Sequence, residues 1–142
     1  MKALDQAYQE IARRKAADKD SRPSPAIFEA VDQLLKKEGQ DDIAERVMEA
    51  SAEAVPWDSI AEVLGIMMWS SPDNGAQIMQ DAERWLKDAS DERRVFVAMN
   101  LDFYPFKDVA QMEAILGKVV ETFPGQATLC RSVISSRKGL AE

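Results

Sequence analysis

The sequence predicts an all-α fold, and three observations carry that prediction. Apolar residues recur with the 3.6-residue period of a helix almost throughout the 142 residues, and no stretch alternates with period two for long. Helix starters and stoppers (Ser-Pro, Asp, Gly and Pro) fall between the periodic stretches at short intervals. Apolar residues make up 46% of the chain, enough for a core and too many for intrinsic disorder.

The first helix is expected over Ala3–Ala17, with Leu4, Tyr8 and Ile11 on one stripe. A polar break from Asp18 to Pro23 follows, so residues 1–22 read as a loosely attached helix and linker. Ser24-Pro25 is an N-cap with proline at the first helical position, where its missing N–H costs nothing. The second helix places Ile27, Phe28, Val31, Leu34 and Leu35 inward and stops at Gly39. The third starts at Asp41 or Asp42, where Asp42 and Glu45 have capping-box spacing. It turns Ile43, Val47, Met48 and Ala54 inward and ends at Pro56.

Trp57, Ile60, Leu64, Met67 and Met68 define a fourth helix reaching Ser70. Ser71-Pro72 repeats the cap-plus-proline start, and Ile78, Met79, Ala82, Trp85 and Leu86 fill a fifth. Ser90, with Asp91 and Glu92 behind it, opens a sixth, whose inner face is Val95, Phe96, Met99 and Phe103. After the break at Pro105, Val109, Met112, Ile115, Leu116, Val119 and Phe123 make a seventh, closed by Pro124-Gly125. Leu129, Cys130, Val133 and Ile134 make an eighth before a frayed basic tail, Arg137-Lys138-Gly139.

These eight helices form a single domain over residues 1–142, a size that one core can serve. Their starts suggest four antiparallel pairs, opening near residues 3, 41, 72 and 107 and repeating every roughly 31–38 residues. Two architectures satisfy that order: a HEAT- or armadillo-like α-α superhelix, or a compact orthogonal bundle. The tetratricopeptide and ankyrin signatures are missing.

Composition excludes whole classes of chemistry. Without histidine there is no Ser-His-Asp or Cys-His nucleophile, no imidazole base and no His-ligated zinc. One cysteine permits neither an internal disulfide nor CxxC chemistry, which suits a reducing compartment. Cys130 reads as core packing, and the methionines as core filling. The N-terminus meets charge before a signal-length apolar stretch can form. The apolar run Val63–Trp69 is far short of the roughly 20 residues of a membrane span. A cytoplasmic protein is expected. A net charge of −7 argues against nucleic-acid and anionic-membrane partners.

Carboxylates are the remaining catalytic currency. Glu38 with Asp41, Asp42 with Glu45, and Asp88 with Asp91 have the i, i+3 spacing of an Mg²⁺-dependent nucleotide hydrolase. Gly39 and Ser90 interrupt two of these pairs, and capping explains the other. No metal, cofactor or catalytic residue is therefore assigned. Asp102 to Phe106 gathers three aromatics around a helix break, either to seal an inter-helix corner or to anchor a partner.

The position of the charge is more informative than its total. Residues 1–40 hold eight basic and seven acidic side chains, and residues 63–142 hold nine basic and eleven acidic. Between them, Asp41, Asp42, Glu45, Glu49, Glu53, Asp58 and Glu62 stand against Arg46 alone. Asp41, Glu45, Glu49 and Glu53 recur at i, i+4, which on one helix makes a ridge. Like charges so spaced cost a few tenths of a kcal/mol per pair. A focused negative surface steers a basic partner and rejects wrong ones, whereas the alternative is a solvated helix face.

In size, acidity and all-helical character the chain resembles bacterial immunity proteins, which neutralise a toxin by covering its active site and include compact helical and HEAT-like forms. That resemblance implies a basic toxin or effector domain as partner, with Asp41, Glu45, Glu49 and Glu53 pairing its Arg or Lys side chains. Asp58 and Glu62 would widen the patch, with Trp57 or Tyr104 as apolar anchors. The alternatives are a helical-repeat adaptor or regulator with a protein or peptide client and, from another class, the nucleotide hydrolase.

Overall fold

The computed structural model describes residues 1–17, 23–101 and 106–141, the last five as backbone alone. Among them are eight α-helices and no strand, as the periodicity predicts. In chain order they are α1 (Lys2–Ala17), α2 (Pro25–Glu38), α3 (Ile43–Ala50), α4 (Trp57–Ser70), α5 (Ala76–Asp88), α6 (Glu92–Met99), α7 (Val109–Thr122) and α8 (Ala127–Ala141), with a 3₁₀ turn at Pro124–Gln126. They fall into two compact units, Met1–Ile78 and Met79–Glu142.

In the first unit α4 is the hub, touching α1, α2 and α3. Ile60, Val63, Leu64, Met67 and Met68 are almost wholly covered. Burying a side chain of that size stabilises by about 1.5–3 kcal/mol. The first helix is not loosely attached. Leu4, Ala7 and Ile11 are buried, and α1 packs chiefly along α2. Phe28, expected on the inner face of α2, is instead 49% exposed, because Ile27, Ala30, Val31 and Leu34 fill the contact stripe.

Arg46 joins α2 to α3. Its Nη2 donates to the carbonyls of Glu38 (2.9 Å), Gly39 (3.1 Å) and Asp41 (2.8 Å), and its Nε donates to Asp41 O (3.1 Å). Carbonyls left open at the end of α2 thereby gain a charged donor. The backbone of Asp42 is left-handed (φ 55°) and its side chain makes no cap, so the capping box expected with Glu45 does not form. Asp42 N–H donates instead to the Gln77 side chain (3.0 Å).

Ser71 does not cap α5 as expected. It closes α4, its Oγ donating to Met68 O (3.1 Å), and α5 begins five residues later. Asp73 is the effective cap, accepting from Gly75 N–H (2.9 Å) and Gln77 N–H (3.1 Å). The Gln77 N–H above all holds the Asp73 carboxyl below its usual range, partly opposed by desolvation. Gly75 takes φ +82°, and a Cβ there would meet Met68 Cβ and carbonyl at 3.0 Å.

In the second unit α7 packs mainly on α8, and α6 also rests on α8. Leu86, Val95, Val97, Met112, Leu116, Val119 and Cys130 supply its buried side chains. Asp91, rather than Ser90, caps α6 by accepting from Arg93 N–H (3.1 Å). Asp108 caps α7 through Gln111 N–H (2.8 Å). Cys130 is buried as expected, with its Sγ 3.5 Å from Met99 Sδ, and desolvation pushes its thiol pKa up. The tail expected to fray after Ile134 stays helical to Ala141.

Candidate functional site

The acidic segment 41–62 lies wholly in the first unit. Its centre is α3, which buries Ile43, Ala44, Val47 and Met48 and so turns Glu45, Arg46, Glu49 and Ala50 outward. The four-residue ridge does not form as a helical feature. With α3 confined to Ile43–Ala50, only Glu45 and Glu49 share its face. Asp41 lies in the turn before α3 and Glu53 in the turn after it.

The helix stops early because Ser51 closes it. Ser51 Oγ donates to Val47 O (2.7 Å), and its N–H reaches the Val47 and Met48 carbonyls. Tyr8 then donates its hydroxyl to Ser51 Oγ across 2.6 Å, fixing the turn to α1. Ala54, expected inside, is exposed there.

Asp58 and Glu62 do not widen an open patch, because α1 neutralises both. Lys15 Nζ lies 2.9 Å from Asp58 Oδ2, and Arg14 Nη1 lies 2.7 Å from Glu62 Oε1. Asp41, Asp42, Glu49 and Glu53 are exposed, and none has an ion-pair partner among the described residues. Elsewhere Asp32 pairs with Lys36 and Glu83 with Lys87. Arg46, the one base of the segment, directs its donors to backbone carbonyls instead of carboxylates. Among the described residues, the four exposed carboxylates around α3 therefore outnumber the single Arg46.

Trp57 opens α4 half-buried, while Tyr104 lies outside the described residues. Trp69, at 69% exposure the more open of the two large exposed apolar side chains among the described residues, is not marked by the sequence as a surface residue. The apolar run Val63–Trp69 hides its helical period, because α4 is covered on most sides from Ser59 to Met68.

Between α1, the 54–56 turn and the start of α4 is an open hollow of about 290 Å³, lined by Tyr8, Ala12, Lys15, Ala54, Val55, Pro56 and Ser59. Its walls are largely apolar, and Lys15 Nζ is held at its edge by Asp58 and Ser59 Oγ, both at 2.9 Å.

Among the described residues no three carboxylate or thiol groups converge as a metal site would require. Asp88 and Asp91 are parted by Ala89 in a left-handed conformation (φ 47°), and Asp91 also pairs with Arg94. No helix among the described residues is long and apolar enough to cross a membrane. Comparison with family models, with curated proteins and with solved structures gives no match to the chain.

Proposed function

We propose that this chain is a protein-binding module that docks the acidic surface around α3 on a basic partner, in the manner of an immunity protein covering its toxin. One observation carries the reading: Asp41, Asp42, Glu49 and Glu53 are exposed without ion-pair partners among the described residues, while Asp58 and Glu62 close by are neutralised by α1. Interspersed lysines would serve solubility without concentrating charge. A one-signed surface instead accelerates encounter with an oppositely charged partner and disfavours others.

The test reverses Asp41, Glu49 and Glu53 to lysine in the full chain and measures binding to a basic partner captured from the native cell by the unaltered protein. Capture by the reversed chain falls at least about tenfold, and binding of the original weakens steeply with salt, since exposed charges are screened beyond about 8 Å at physiological ionic strength. Undiminished capture would overturn the proposal.

A further inference from the structure

We infer that the hollow between α1 and the 54–56 turn is an anchor pocket for one aromatic side chain of the basic partner. This inference rests on the acidic-surface reading and specifies where within it the apolar contact falls.

The hollow offers little for a polar ligand to bind. The Tyr8 hydroxyl is engaged by Ser51, and the Lys15 ammonium by Asp58 and Ser59. What remains is apolar wall from Ala12, Ala54, Val55 and Pro56, the ring of Tyr8 and the stem of Lys15. At about 290 Å³ it lies at the bottom of the range for small-molecule pockets, a size suited to a single side chain. An aromatic ring suits the walls because it can pack on Tyr8 and lie beside the Lys15 ammonium, which attracts a π face.

Charge determines what the ring is attached to. Glu53 directly precedes the wall residues 54–56, whereas Asp58 just beyond them is taken up by Lys15. A lysine or arginine beside the ring would therefore meet the Glu53 carboxylate at the rim. A central apolar anchor inside a polar rim is the usual anatomy of a binding hot spot.

Two probe peptides test this on the full chain: Lys-Lys-Phe-Lys-Lys and Lys-Lys-Ala-Lys-Lys, followed by the amide NMR shifts of Ala12, Ala54 and Val55. The phenylalanine peptide binds at least about tenfold more tightly, as expected for a buried aromatic anchor, and it alone moves those three signals. Ala12→Phe, and independently Ala54→Phe from the opposite wall, fill the hollow and erase the advantage. Ala12 and Ala54 are both exposed, and an unchanged far-UV helix signal verifies folding. Equal, salt-sensitive binding of both peptides would overturn the pocket and leave the acidic surface standing. A phenylalanine advantage that survives in Glu-Glu-Phe-Glu-Glu would overturn the basic partner, and the acidic-surface reading with it.

Discussion

Arg14 Nη1 lies 2.7 Å from Glu62 Oε1, joining α1 to α4 through side chains only 10% and 23% exposed. Among the described residues, Arg14 Nε and Nη1 and Glu62 Oε2 are buried without a hydrogen-bond partner, so the contact is an ion pair without hydrogen-bond alignment. The pair is thus desolvated but incompletely satisfied, the situation in which removing one partner costs far more than replacing both. Arg14→Met should lower stability by about 1–3 kcal/mol by leaving the Glu62 carboxylate unpaired. The double variant Arg14→Met with Glu62→Leu should recover most of that loss. Urea unfolding of the two single variants and the double measures the coupling, and additive losses would exclude it.

Glu49 lies in the last turn of α3, which holds no basic residue, and there a negative charge opposes the helix dipole. Glu49→Lys should stabilise the protein by a few tenths of a kcal/mol, about the low end of the dipole effect at an exposed site. On the proposed function the same change weakens partner binding. Stability and affinity moving in opposite directions, read by thermal unfolding and by capture, would be the mark of a residue retained for contact.

Asp73 links stability to pH. Its folded pKa is depressed, chiefly by the Gln77 N–H. Its contribution is therefore complete above the unfolded value of about 3.9 and is lost as pH falls from there through the folded value. Asp73→Ala should cost about 1 kcal/mol at pH 6, the usual worth of a helix cap, and much less at pH 3. Denaturation midpoints of both proteins at the two pH values decide it.

Two glycines with positive φ should respond differently to alanine. Gly39 (φ +73°, ψ 170°) has nothing within 4 Å of an added Cβ, so Gly39→Ala incurs only the penalty of a backbone region that is essentially glycine's own, at least about 1 kcal/mol. At Gly75 (φ +82°) the added atom also meets Met68 backbone, with its oxygen at 3.0 Å and its Cα at 3.1 Å. Gly75→Ala should therefore cost more, about 2 kcal/mol or above. Equal losses in chemical denaturation would show that the α4–α5 turn relaxes around the methyl.

All eight helices were legible in the sequence because their apolar stripes and boundary residues agree, as where Pro25 opens α2 and Gly39 closes it. Boundaries were less so where side chains compete with the helix. Ser51 closes α3 through its own hydroxyl, and Asp73 caps α5 after a turn that a Ser71-Pro72 start does not announce. The concentration of acid at 41–62 was visible, but its division was not. Lys15 and Arg14 reach Asp58 and Glu62 across more than forty residues, and no local spacing reveals a pairing made by tertiary packing. Phe28 and Trp69 were hidden for a related reason, since apolar type marks a residue for burial whether or not a neighbouring helix covers it.

The clamp made by Arg46 bears on the thermodynamics of association. Association normally loses freedom in the loops and side chains that it orders. Here the Glu38–Asp41 connection is already tied by one guanidinium, and the turn after α3 is tied through Ser51 to Tyr8. The acidic surface is thus preorganised at both ends, so on the proposed function little backbone entropy would remain to be surrendered on docking.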